Sequence, residues 1–308
     1  MFMVPQEQQR EQGQKQLLGA CEKKEQREMA GKQKRHSPQP PRSKRYLLAS
    51  VRSEFLSQYM ELVAAIRFLS VLPMPGSMQL FEKDEAAPRF VVGCTYFPLV
   101  GLLLACLLWL LVLLLTPLVP QLVLAALLVV ALVILTGGLH LDGLMDSCDG
   151  LFGGSTRERK LEIMRDSHIG SFGVLGGVCI LLLKFALFAS VRGQALPLAL
   201  LVTLPTARWA MVLALRIFPS ARPTGLGVAF HQAVTTERVV LAGLVALAIV
   251  LFAGQFIGLL VWVIVTVTAL ALGFWITRSI GGLTGDSYGA IEEVVEVVAL
   301  LVLVIVRA

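Results

Sequence analysis

From about residue 90 onward the chain alternates between long apolar runs and short polar links. The runs lie at about 91–116, 118–136, 171–191, 195–215, 239–256, 257–277 and 290–306. Each matches the roughly 20 residues that a helix needs to cross a membrane. Thr116, Pro117 and Pro120 separate the first two runs so closely that they must form a helical hairpin. Residues 53–72 follow a different pattern, amphipathic rather than uniformly apolar, and end at Pro73-Met74-Pro75. That pattern predicts an interfacial or re-entrant helix. Residues 1–50 have no apolar period and are rich in Gln, Lys, Glu, Arg and Pro, which predicts a solvated, disordered tail. The tail lacks the apolar core of a signal peptide, and its five Glu argue against a mitochondrial presequence.

The predicted fold class is therefore all-α, a polytopic integral membrane helix bundle of about seven transmembrane helices plus the N-terminal helix. Composition agrees: 56% of the 308 residues are hydrophobic, 16% are charged and mean hydropathy is +0.75, a balance unlike that of soluble domains. Two regions are expected, a basic cytoplasmic tail at 1–50 and a membrane-embedded catalytic domain at 53–308 whose motif loop spans 137–170. The net charge of +6 belongs to the tail, which holds eleven Lys/Arg and five Glu, while the rest carries 16 basic and 16 acidic residues. A nucleic-acid partner is not expected, since nothing beyond that tail is basic, whereas membrane lipid is. Placing the tail in the cytoplasm puts the loops 137–170, 216–238 and 278–289 on the same face. Those loops carry Arg157, Arg159, Lys160, Arg165, Arg216, Arg222, Arg238 and Arg278, against Arg192 and Arg307 opposite, as the positive-inside rule requires. The five cysteines are scattered without a CxxC pair and define no disulfide framework.

The chemistry concentrates in Gly137-Gly-Leu-His-Leu-Asp-Gly-Leu-Met-Asp-Ser-Cys-Asp-Gly150. On a helix, Asp142, Asp146 and Asp149 stand at i, i+4 and i+7 and share one face. Three such carboxylates repel one another unless protons or a cation intervene, so a divalent metal, Mg²⁺, is expected there. Magnesium usually takes one or two protein carboxylates and completes its octahedron with water and phosphate. The ordinary alternative is a solvated loop with helix-capping aspartates. Ser155-x-x-Glu158 has the form of a capping box and predicts a helix start. Beyond it Arg159 and Arg165 supply cations suited to phosphate, and Glu162 and Asp166 sit at i, i+4; a surface helix tied by ion pairs is the plain alternative. Asp286 leaves a Gly-rich turn, and Glu293 and Glu296 open the last run, where acids suit a helix N-terminus. Yet Glu296 lies inside an apolar segment, where ionisable groups are functional by default. Lys184 and Arg208, also within runs, are expected to pair or to snorkel. His140, His168 and His231 have no metal-ligand spacing. Walker A, Rossmann, HExxH and GxSxG patterns are absent.

Together these segments resemble the cobalamin synthase family, adenosylcobinamide-GDP ribazoletransferase. The resemblance rests on 137–150, on Arg157-x-Arg-x-Leu-Glu-Ile-Met-Arg-Asp-Ser167 with Ile169-Gly170, and on Phe97-Pro-Leu-Val-Gly101. It extends to Gly225-Leu-Gly-x-x-Phe230 and Gly285-Asp-x-x-Gly-Ala with Glu293-x-x-Glu296, and covers about 55–308. Val71 and His168 stand where many members would have Arg, so neither position is assigned a required cation. The resemblance implies a multi-pass enzyme of the cell (inner) membrane with cytoplasmic active-site loops. It would join adenosylcobinamide-GDP to α-ribazole, or its 5′-phosphate, with Mg²⁺ and release of GMP. In that scheme Asp142, Asp146 and Asp149 hold the metal, and Asp146, Asp286 and Glu293 are the catalytic candidates. His140, Arg159, Arg165, Asp166 and Glu296 contact substrate. Two competing readings are a CDP-alcohol phosphotransferase and a cation transporter. Against the first, Asp142-Gly-Leu-Met is not followed by Ala-Arg. Against the second, the densest acids lie outside the membrane among basic residues.

Overall fold

The computed structural model describes residues 44–74, 93–191, 193–224, 231 and 234–307. The chain divides into two units, Met1–Phe55 and Leu56–Ala308, and the helix bundle belongs to the second. Most of the expected tail, 1–43, and the Gly225–Phe230 motif lie outside the described residues. The regular elements described are helical. The predicted amphipathic helix is α1 (Lys44–Leu69), which begins upstream of the expected position. A 3₁₀ turn (Cys94–Tyr96) leads into α2 (Phe97–Leu115), with Pro98 in its first turn, where a missing N–H costs nothing.

The link at 116–120 leads into α3 (Gln121–Thr136). Gly137 and Gly138 then take left-handed φ values of 62° and 69°, a conformation that side-chain-bearing residues seldom tolerate. Through them the chain turns by 90° into α4 (Leu139–Gly153). We read α4 as lying along the membrane face rather than completing the span. After α4 come α5 (Arg157–Ile163), α6 (Ser171–Ser190) and α7 (Leu196–Ile217). The cap of α5 falls one residue later than expected. Thr156, not Ser155, is the N-cap: its backbone is extended, and its hydroxyl accepts the N–H of Arg159.

The segment α8 (Thr236–Ile280) is helical over 45 residues except at Gln255, whose φ of 50° breaks it. A Cβ on Gly258 would run into the carbonyl of Val250. Along a straight helix those residues would stand about 12 Å apart, so α8 doubles back as a hairpin, where the sequence separates 239–256 from 257–277. The last helix is α9 (Gly285–Arg307). Each of the seven apolar runs is therefore helical over most of its described residues. Four helices are long and apolar enough to cross a membrane, or five with the α3–α4 pair taken as one span; α8 counts once in that number. Leucines such as Leu113, Leu114, Leu175 and Leu182 are exposed, and Phe252 is 94% exposed, so the outer surface suits lipid. The interior is built around α7, which packs against α2, α8 and α9.

Candidate active site

One crossing creates the site. Helices α4 and α9 approach with glycine on each side. A Cβ on Gly143 would stand 2.8 Å from the carbonyl oxygen of Asp286, and one on Gly289 would stand 2.9 Å from that of His140. This backbone contact brings Asp286 to the carboxylate face of α4. A second device joins the loops. Ala221 N–H donates to Leu283 O (2.9 Å) and Leu283 N–H donates to Pro219 O (2.8 Å). That stitch carries Arg222 to within 3.7 Å (Nη2) of Asp286 Oδ2. Arg157 reaches Ala221 O, and Lys160 Nζ donates to Ser279 Oγ (2.7 Å), so α5 is tied to the same platform.

The three aspartates of α4 keep the expected helical phase but divide in environment. Asp142 is exposed, Asp146 is half-buried and Asp149 is buried. Burial first, then the charges of Asp142, Asp286 and Asp149, push the Asp146 carboxyl up to about 6, with Arg222 opposing. Asp149 faces another task. Its two oxygens accept the N–H groups of Gly170 and Gly173, each at 2.8 Å, so it caps α6 from a distance. Among the described residues, no three His, Cys, Asp or Glu side chains converge tightly enough to hold an ion alone. What remains at the surface is an open set of hard oxygen donors, Asp142, Asp146 and Asp286. Such a set suits an ion that keeps water and takes phosphate oxygens, and not one needing a full protein cage.

Arg165 and Arg222 line a cavity of about 260 Å³ with Leu161 and Pro223, and Glu158 and Glu162 share that lining, Glu162 being paired with Arg159. Nε and Nη2 of Arg222 are buried and have no hydrogen-bond partner among the described residues. Burial pushes the Arg222 pKa down and Arg165 adds to this, while Asp286 opposes it. An anion held between the two guanidiniums would relieve both conditions. Arg159 and Asp166 point elsewhere. Arg159 pairs with Glu162 at 2.7 Å on the exposed face of α5. Asp166, beyond the end of α5, accepts from the ring and backbone N–H of His168.

The remaining expected residues form a buried charge network. Lys184 Nζ meets Glu293 Oε2 at 2.8 Å and Glu296 Oε2 at 2.5 Å. Arg208 pairs with Glu296 and with Glu292, the latter at 2.5 Å. His140 Nδ1 lies 3.3 Å from Glu292 Oε2. Glu293 and Glu296 are thus held by cations in the interior, separate from the open carboxylates. The expected pairing of Lys184 and Arg208 is what the geometry has. Sequence reasoning overlooked Glu292 and gave Arg222 no role at the site. The signal for Glu292 was the intramembrane count, two cations facing a Glu-Glu-x-x-Glu helix.

Comparison with known proteins follows the same residues. The family model described as Cobalamin-5-phosphate synthase matches residues 61–304. An adenosylcobinamide-GDP ribazoletransferase of Desulfitobacterium hafniense (strain Y51) is 41% identical over 242 residues, covering 77% of this chain and 93% of the relative. That of Roseiflexus sp. (strain RS-1) is 42% identical over 249 residues, covering 78% and 87%. That of Klebsiella pneumoniae (strain 342) is 39% identical over 244 residues, covering 78% and 97%. No solved structure matches. With a match that runs from α1 through α9 and takes in both the carboxylate helix and the arginine cavity, the chain belongs to the cobalamin-5-phosphate synthase family.

Proposed function

We propose that this chain joins adenosylcobinamide-GDP to α-ribazole, or to α-ribazole 5′-phosphate, with release of GMP, at the cytoplasmic face of the cell membrane. The names of its relatives supply the substrates. The observation that carries the chemistry is the meeting of Asp142, Asp146 and Asp286 with Arg222 at one rim. Transfer onto a hydroxyl from a diphosphate needs charge neutralisation at the phosphates and an acceptor for the hydroxyl proton.

Asp142 and Asp146 are the proposed holders of Mg²⁺, with Asp286 at their edge. When bound, that ion lowers the charge on the diphosphate and steadies the departing GMP. The chain's own residues do the rest. Arg165 and Arg222 hold phosphate oxygens with forked N–H donors. Asp286, held at the rim by Thr284 and Arg222, takes the proton of the attacking hydroxyl.

The test uses the full chain in liposomes with adenosylcobinamide-GDP and α-ribazole, with GMP release followed with and without Mg²⁺. Release that needs both substrates and the ion is the expected result. Asp146→Asn should abolish turnover while the protein still inserts into membrane. Full activity of that variant would overturn the metal assignment.

A further inference from the structure

A second cavity, of about 180 Å³, opens beside the carboxylates between α1, α2, α4, α7 and α9. Its walls are apolar, with Phe68 and Phe97 stacked at a centroid separation of 6.0 Å and with Met211 and Leu215 facing from α7. Four polar side chains also lie within this lining, and two of them are almost wholly buried. Tyr288 is 4% exposed and His140 is 2% exposed. Both the Tyr288 hydroxyl and His140 Nε2 are buried without a hydrogen-bond partner among the described residues. Buried polar groups are almost always satisfied, so two orphans among the residues that line one apolar cavity mark where a bound ring could gain a hydrogen bond, after a small turn of the side chain that now seals each atom. Asp142 and Asp286 stand in the same lining.

We propose that this cavity seats the aromatic base of the acceptor nucleoside. The inference rests on the function proposed above and adds the direction in which the acceptor lies. Asp286 belongs to this cavity and also meets Arg222, which lines the arginine cavity. Apolar slot, carboxylates and guanidiniums therefore follow one another in space. That is the order of base, sugar hydroxyl and phosphate along a nucleoside phosphate. Size agrees, because pockets for drug-sized ligands run to about 300–1,000 Å³. The smaller volume admits a fused ring pair and not a corrinoid, with the attached sugar lying outside the slot. Guanine, the other base in the reaction, presents O6, N7 and an amino group that each require partners. A benzimidazole-type base, with an apolar edge and one free ring nitrogen that can accept from one of the two orphans, fits these mostly apolar walls better. It also leaves its own sugar hydroxyl at Asp286.

The experiment measures steady-state GMP release by the full chain in liposomes, with each substrate varied in turn. Leu215→Phe fills the slot and should raise KM for α-ribazole about tenfold, the scale at which pocket walls discriminate by size. KM for adenosylcobinamide-GDP should not change. Tyr288→Phe keeps the shape, removes the orphan hydroxyl and should raise the same KM in the same selective way. Free 5,6-dimethylbenzimidazole should compete with α-ribazole, and not with adenosylcobinamide-GDP, on the unaltered protein. A filled variant that weakens the GDP substrate instead would assign the slot to guanine and overturn the proposal. So would free base that does not compete, a result that stands even if both variants fail to fold. Absence of any GMP release by the unaltered protein would defeat the proposed function itself, a different outcome from turnover without competition.

Discussion

Asp146 and Asp149 are one helical turn apart and have opposite work. Asp146 is pushed up to about 6, first by burial and then by the carboxylates around it. Its ionised form, which a divalent ion would bind, is therefore lost as pH falls through that value, and a bound cation would compete with the proton. At limiting Mg²⁺, turnover should decline below about pH 6, and more Mg²⁺ should move the decline to lower pH; a profile indifferent to the ion would contradict this. Asp149 is predicted to matter for folding instead. Asp149→Ala removes the acceptor of two N–H groups at the start of α6 and should cost about 1–2 kcal/mol, the usual effect of a lost cap. Thermal denaturation of the detergent-solubilised protein would show it, with the Mg²⁺ requirement of the remaining active fraction unmoved. Spacing made the shared face of these aspartates legible. It did not separate the open carboxylate from the cap, because the groups that claim Asp149 lie far along the chain at Gly170 and Gly173.

At the scale of elements, the apolar runs located the helices well, including the division inside α8, because lipid-facing surface and core are both apolar and leave long unbroken signals. What the runs left open was direction. The 90° turn at Gly137-Gly138 and the glycine-lined crossing of α4 on α9 depend on backbone conformation and close approach. Hydropathy is blind to both. The same gap explains Glu293 and Glu296. Acids in an apolar segment signalled function, whereas their helix neighbours α6 and α7 hold Lys184 and Arg208 against them. Removing one partner of a buried ion network leaves an uncompensated charge and costs about 3–5 kcal/mol. Lys184→Met should accordingly lower the melting temperature sharply, and pairing it with Glu293→Met should recover much of the loss. A single variant as stable as the parent would show that the network is not what holds α6 to α9.

For the whole molecule, the proposed topology makes a claim about sides. The segments that carry Arg157, Arg165 and Arg222 flank the carboxylate helix, and the 116–120 link lies at the other end of α2 and α3. With the site loops cytoplasmic, a cysteine placed at Ser155 in a background lacking the native cysteines should react with an impermeant maleimide only in inverted vesicles. One placed at Leu118 should react only from outside the intact cell. The reverse pattern would invert the orientation and leave the fold untouched.

The glycine turn after α3 also has a consequence for the surrounding lipid. Sixteen residues of helix rise only about 24 Å, short of the roughly 30 Å of hydrocarbon in an ordinary bilayer. Since α4 leaves sideways and adds no height, the acyl chains beside α3 must shorten or tilt to match it. A dimple in the leaflet would form where the polar substrates arrive, lowering the headgroup level towards the carboxylates.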